Sequence, residues 1–537
     1  MRGAPTAAAL TDRLTAQLRR RPVRAFWTAL GLYAAVWWLA AVLTQLNLPL
    51  DAVEMLTWGR EWQLAYWKHP PLPAWVLDLL YRLGGGSHAV LYLASPLFVA
   101  LTFWAAWRLA GRILPAPLAA LAVLPLVGIV YYGFTSPEFN HNVVQYPFFA
   151  LLPLLLHRAL AGTPASRGVA GRGPAGWSAV GRERDWLLLG LVGGLAVYAK
   201  YSTAPLLLAV ALLLLCHPAG WRALAKRGPW LALGVFLLVA APHAVALWTI
   251  DFLPLGTPAM RAAQAAGWVE RLWYPAWFVA GQLVNCLGAL LVLAALALPG
   301  RSEAGLGNPR SALGFDRFFV LWMLGLPLAI VLAYSLLAGQ ELETMWGAPY
   351  FALLGLAGLL LLPRAPSRRG LFAALGLAVL LVLAGLAGYL GKNLFEPLTS
   401  GRGMRAQFPG PALARALEAE WAQLSGGAPL PTLVGSFWLA GNAAAYGEQR
   451  PPVFIEGRPE RSPWVDPAAL AETGALLLWR EDEAGRPPGW LAAWQGSLCP
   501  QGELVLAWQS WIELPPVRVA WATYGGRHCD RPPLAAR

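Results

Sequence analysis

Long apolar runs broken by short polar punctuation fill the first three-quarters of this chain. They fall at roughly 25–45, 88–110, 116–132, 143–160, 185–200, 202–217, 229–249, 273–299, 317–338, 347–363 and 371–391. Each is long enough, or nearly so, to cross the hydrocarbon layer of a bilayer as a helix. The pattern predicts about eleven membrane helices, with the two flanking Lys200 the shortest. From about residue 392 the period changes. Segments 432–437, 475–479 and 504–508 are apolar, short and separated by Gly/Pro-rich turns, and so read as strands. Segment 412–424 reads as an amphipathic helix. The expected architecture is a polytopic α-helical membrane domain over 1–391 and a small extracytoplasmic α+β domain over 392–537. The stretch 162–181, rich in Gly, Pro, Ala and Arg, is expected to be a flexible loop. The chain shows no internal repeat.

Composition agrees with the pattern. Hydrophobic residues make up 57% of the 537 and charged residues 13%, about half the charge of a soluble domain. The net charge of +13 would suggest nucleic acid in a soluble protein. Here the basic residues cluster in loops between apolar runs, so topology explains them and no nucleic-acid partner is expected. Arg19, Arg20, Arg21 and Arg24 precede the first run, and no small-residue cleavage site follows it. That is the pattern of an uncleaved first helix. Arginines also crowd alternate loops near 108–112, 158–184, 222–227, 301–317 and 364–369. By the Lys/Arg bias these loops and the N-terminus are cytoplasmic, and an odd helix count puts the C-terminal domain outside. Cys216 and Cys286 fall in apolar runs. Cys499 and Cys529 fall in the outer domain, where a disulfide is permitted but spacing does not establish one.

The loops opposite the basic ones hold most of the candidate chemistry. Asp51, Glu54 and Trp58 are spaced to share one face of a helix just past the first span. The bland alternative is an interfacial helix with a wet acidic face and Trp anchors. Lys68-His69-Pro70-Pro71 follows, and the paired prolines impose an extended turn. Lys68 either snorkels to lipid phosphate or neutralises the phosphate of a specific substrate. The second outer loop carries Glu138, Asn140 and His141. They form a substrate clamp, part of a divalent metal site, or simply a capped helix start. Lys200-Tyr201 sits at the turn between the two short helices, where a lysine is costly unless partnered. His243 and Asp251 bracket the next outer boundary. The tryptophans between 464 and 521 suit either core packing or stacking on sugar, and strand aromatics favour the core.

These residues together resemble glycosyltransferase family 39, which includes protein O-mannosyltransferases and bacterial aminoarabinose transferases. The resemblance is carried by Asp51, Glu54 and Tyr66-Trp67-Lys68-His69-Pro70-Pro71-Leu72, then by Pro137-Glu138-Phe139-Asn140-His141-Asn142. Ala199-Lys200-Tyr201-Ser202 and Pro242-His243 through Asp251-Phe252 extend it. It is best over 25–300 and weakest in the C-terminal domain. It implies a GT-C fold in a bacterial inner membrane and a polyprenyl-phosphate sugar donor. A hydroxyl acceptor in the cell envelope, as in lipopolysaccharide modification, would receive the sugar with inversion. Asp51 would be the catalytic base, supported by Glu54. Lys68, His69, Lys200 and Tyr201 would bind donor phosphate. Glu138, Asn140, His141, His243 and Asp251 would bind substrate. The resemblance fixes no cofactor and leaves a divalent metal open, with Glu138 and His141 as the ligands of any such metal. Three positions differ from the relatives: Ala52 follows Asp51 where many members have Glu, and Lys68-His69 replaces the Glu-Lys of the aminoarabinose transferases. The alternative class, a transporter or flippase of lipid-linked sugars, predicts inverted repeats and midplane polar groups. This chain instead keeps its acids at one face.

Overall fold

The computed structural model describes residues 20–160, 183–256, 263–303, 305–312, 314–482, 485–526 and 529. The expected loop at 162–181 lies outside the described residues. By contacts the described chain forms two compact units. One comprises Met1–Leu39 and Ser95–Tyr389, the other Ala40–Ala94 and Leu390–Arg537. The second unit joins the first outer loop to the C-terminal residues, two stretches that hydropathy reads separately.

The first unit is helical and apolar. Over the whole chain, the described residues hold seven helices long and apolar enough to span a membrane. Two bent pairs, Tyr201–Cys216 with Pro218–Leu224 and Thr344–Phe351 with Leu354–Leu361, raise the number to nine. The other two of the eleven expected runs are helical but short. Glu183–Ala199 has 17 residues, the lower limit for a span, and Ala116–Gly128 is shorter still. Long side chains such as Leu238 and Trp248, 75% and 74% exposed, cover the outside. Such a surface suits lipid rather than water.

Two glycines set the packing that matters most for the site. A Cβ at Gly190 would strike the Ala232 carbonyl, and one at Gly194 would strike Val239. Their absence lets Glu183–Ala199 lie directly against Arg227–Thr249, as small residues do between membrane helices. Tyr198 Oη then donates to the Val239 carbonyl at 2.9 Å. This contact brings the C-terminal end of one helix, where Lys200 follows, beside His243 on the other.

The second unit contains a five-stranded mixed sheet: β1 (Leu433–Gly435), β2 (Val453–Ile455), β3 (Ala475–Trp479), β4 (Leu498–Leu506) and β5 (Val517–Tyr524). Its order is β2-β1-β3-β5-β4. β1 pairs parallel with β2 and β3, while β3–β5 and β5–β4 are antiparallel. The expected strand at 504–508 is displaced: β4 begins at Leu498, bulges between Cys499 and Gln501, and ends at Leu506. β2 and β5 were not anticipated. The helix expected at 412–424 forms as Gly410–Ser425. Trp479 and Trp494 pack in the core with Val434, Phe454, Leu477 and Tyr524. Cys499 and Cys529 form a disulfide with Cα atoms 5.3 Å apart, tying β4 to the chain beyond β5.

Candidate active site

In the second unit, Pro49 starts the Leu50–Gly59 helix, so Asp51 falls in its first turn. Acidic side chains are favoured there by the helix dipole. Asp51 is half-buried, whereas Glu54, one turn on, is only 1% exposed. The chain then turns through Trp58–Trp62 and returns. Tyr66 stacks on Trp58 at 5.2 Å and donates its hydroxyl to the Trp58 carbonyl at 2.8 Å. That return brings Lys68 under the helix. Lys68 Nζ donates to both Glu54 oxygens, at 2.7 and 2.8 Å, with the rings of Phe437 and Trp58 at 5.4 and 6.0 Å. Lys68 is itself buried, and the pair is desolvated on both sides. His69, next in sequence, is half-buried, its ring 6.4 Å from that of Trp58. Pro70 and Pro71 then lead into the Leu72–Leu83 helix.

A second buried acid locks this hairpin. Asp78 is fully buried and accepts from Arg82 Nε at 2.6 Å, Trp62 Nε1 at 2.7 Å and Arg450 Nη1 at 2.8 Å. Arg450 also donates to the Leu56 carbonyl at 3.1 Å and lies over the Tyr81 ring. Burial pushes the Asp78 carboxyl up, but the hydrogen bonds from Arg82, Arg450 and Trp62 outweigh it. The net result is a value below the ordinary 3.8. A carboxyl depressed in the folded state contributes stability above its unfolded pKa. That contribution is lost as the pH falls through the folded value. Asp78→Asn is therefore expected to lower the unfolding temperature at pH 7, and the gap to wild type should shrink once the pH drops below about 4. Thermal unfolding at both pH values checks this; a gap that does not change would remove the carboxylate as the cause.

In the first unit, Asn140 caps the helix His141–Gln145, its Oδ1 accepting from the amides of Asn142 at 2.8 Å and Val143 at 3.1 Å. Ser136 instead bonds back to the carbonyls of Tyr132 and Gly133. The cap aims Asn142 and Gln145 at the turn after Ala199. Lys200 Nζ donates to Asn142 Oδ1, and Ser202 Oγ donates to Gln145 Oε1 at 2.8 Å. Thr203 Oγ1 holds the turn through the carbonyls of Ala196 and Lys200. Tyr201 stacks on His243 at 5.9 Å, and Tyr198 packs on the same imidazole at 4.9 Å. The Tyr201 hydroxyl and Gln145 Nε2 are buried and have no hydrogen-bond partner among the described residues. A cation flanked by two buried donors in need of acceptors suits an anionic oxygen-rich group.

The remaining expected residues fall as follows. His141 is buried within the capped helix and Glu138 is half-buried before it. Asp251 is exposed in a turn with φ 51°, past the end of the His243 helix, and has no side-chain bond to this cluster among the described residues. No group of three or more His, Cys, Asp or Glu is placed to hold a metal among the described residues. Glu138 and His141 are two donors of a set that needs more, so no step is drawn through a metal. Sequence reading missed Gln145, Asp78 and Arg450. The first two had a signal, since an amide and an acid inside apolar helical runs are costly unless bonded.

Residues 68–169 and 176–248 match the family model described as dolichyl-phosphate-mannose-protein mannosyltransferase. The matched stretches contain Lys68, Glu138, Lys200 and His243 but not Asp51 or Glu54. The fold is that of GT-C membrane glycosyltransferases. ArnT from Cupriavidus metallidurans, solved bound to undecaprenyl phosphate, superposes with TM-score 0.58 at 15% identity, covering 93% of this chain and 97% of that one. Its apo structure gives the same values. The arabinofuranosyltransferase AftD from Mycobacteria aligns over 93% of this chain and 40% of that one, with TM-score 0.47 and 15% identity. By sequence, no curated protein matches. The chain is thus a multi-pass membrane protein of GT-C fold with a mannosyltransferase-like segment.

Proposed function

We propose that this protein is an inverting glycosyltransferase that moves a hexosyl or pentosyl group from a polyprenyl phosphate to a hydroxyl acceptor of the bacterial cell envelope. The N-terminus lies in the cytoplasm, and the second unit works on the periplasmic face of the inner membrane. The reading rests above all on the cluster of Lys200, Tyr201 and Gln145, a cation beside two buried donors without partners among the described residues. In the reaction the acceptor oxygen attacks the anomeric carbon as its proton passes to the Asp51 carboxylate. The bond from that carbon to phosphate breaks, and its electron pair leaves on the lipid phosphate. Lys200 and the neighbouring donors stabilise that charge. The undecaprenyl phosphate bound to ArnT supports a donor of this kind.

Lys68 takes a different role from the one its position suggested. Among the described residues it donates to both Glu54 oxygens, which supports a role in orienting the hairpin that carries Asp51. His69 occupies the position where aminoarabinose transferases carry lysine and is the stronger candidate in this loop for meeting phosphate. His243, Asn140, His141 and Glu138 shape the donor side. Asp251, exposed in the turn past the end of the His243 helix, is the remaining candidate for contact with substrate.

Transfer from defined polyprenyl-phosphate sugars in purified membranes tests the proposal. Lipid-linked sugar that crosses the bilayer without being consumed would replace it with a transporter. Lys200→Ala is expected to raise the donor KM about tenfold or more, the worth of one charge-assisted contact. An unchanged donor KM would remove Lys200 from the site.

A further inference from the structure

The second unit holds a cavity of about 390 Å³, separate from the Glu54–Lys68 hairpin. It lies where the ends of the Pro22–Thr44 and Arg368–Ser400 helices meet the connection between β4 and β5. That volume is in the range of small-molecule sites. Its lining is mostly apolar, with a few amide and hydroxyl groups and no charged side chain. Asn393 Nδ2 donates to Thr44 Oγ1 at 3.0 Å, which ties the two helix ends together. Gln407 Nε2 donates to the Asn393 carbonyl at 3.0 Å. Gln407 is 3% exposed, and its Oε1 has no hydrogen-bond partner among the described residues. A buried amide oxygen left in this state costs free energy unless a donor reaches it.

The rest of the lining narrows the donor. Trp508 and Trp511 supply aromatic surface, and Ser510 a hydroxyl. Trp511 is 60% exposed although it anchors its indole nitrogen to the Leu394 carbonyl at 2.9 Å. An aromatic plate held in place but left open, beside amides and a hydroxyl, matches a sugar ring. Such a ring has an apolar face of C–H groups and a rim of hydroxyl donors. The absence of charge disfavours phosphate. Leu43 and Leu46 on the rim are 70% and 50% exposed, and Phe395 and Leu398 continue the apolar surface beside Leu394. An apolar surface at the ends of membrane helices fits acyl chains.

We propose that this cavity binds the neutral glycosyl headgroup of a membrane glycolipid. The inference does not depend on the transfer reaction. It is tested on the full-length protein in nanodiscs with glucosyl-diacylglycerol carrying a photoactivatable diazirine in its acyl chain. Cross-links are expected in peptides spanning 43–46, 393–407 or 508–511. Unlabelled glucosyl-diacylglycerol should compete; phosphatidylglycerol and free glucose at equal concentration should not. Trp511→Ala removes the plate and Ser510→Trp fills the cavity, and each should weaken half-maximal labelling about tenfold. The two variants act in opposite ways, so a folding failure in one leaves the other decisive. Equal competition by phosphatidylglycerol would overturn the proposal, because the site would then not read the sugar. Equal competition by free glucose would overturn the lipid source. Wild-type labelling in the folded variants would overturn the site itself.

Discussion

Asp51→Asn is expected to reduce sugar transfer by about 10³-fold, within the range for removing a general base, and to leave the unfolding temperature near that of wild type. The two expectations have separate causes. The asparagine keeps the size of the side chain and its place in the first turn of Leu50–Gly59, but its amide does not take a proton. Asp51 is half-buried, whereas Glu54 is buried against Lys68, so neutralising Asp51 costs less than neutralising Glu54. Transfer from a defined polyprenyl-phosphate sugar, measured alongside thermal unfolding, decides the matter. Robust transfer by the variant would end the assignment of Asp51 as base. Donor binding that survives while turnover collapses would locate the loss in the chemical step.

The second large effect is expected at the Glu54–Lys68 pair, and it should appear in stability. Lys68→Ala leaves Glu54 buried with its main cation removed, a change that costs about 3–5 kcal/mol in comparable pairs. Glu54→Gln strands the ammonium and should act in the same direction. Replacing both, as Glu54→Leu with Lys68→Met, removes the desolvation cost together with the attraction. It should recover much of the lost stability. Unfolding temperatures of the two single variants and the double variant measure this directly. If Lys68 instead served donor phosphate, Lys68→Ala would keep its unfolding temperature and raise the donor KM, and the double variant would rescue nothing. The cycle therefore separates a residue that positions the hairpin from one that binds substrate.

Legibility from sequence varied with the range of the interaction. All eleven apolar runs are helical, because transfer free energy is a local sum over neighbouring residues. One of them, Ala116–Gly128, is shorter than hydropathy suggested, while Glu183–Ala199 matches its expected short length. In the C-terminal part β3 was readable as five buried apolar residues, Ala475–Trp479. β2 is only three residues long and gave too little pattern to detect. β5 carries an arginine, Arg518, as its second residue and draws its stability from pairing with β3 and β4. At the second outer loop the sequence allows either Ser136 or Asn140 to cap the following helix. Only the backbone path resolves the choice, because Ser136 turns back to Gly133 while Asn140 meets the amides ahead of it.

The sequence by itself determined a helical membrane chain, its small α+β appendage and the stock of chemical groups near the helix ends. Charge is too costly in hydrocarbon to be placed there without function or partner, so those groups stand out wherever the chain folds. Tertiary structure decided which partner each group meets. It joined Ala40–Ala94 to the C-terminal residues. It set Arg450 against Asp78 across 372 positions, and it paired Lys68 with Glu54. The physical reason is that an ion pair depends on the distance and desolvation of two side chains, which the path between them sets and local composition does not encode.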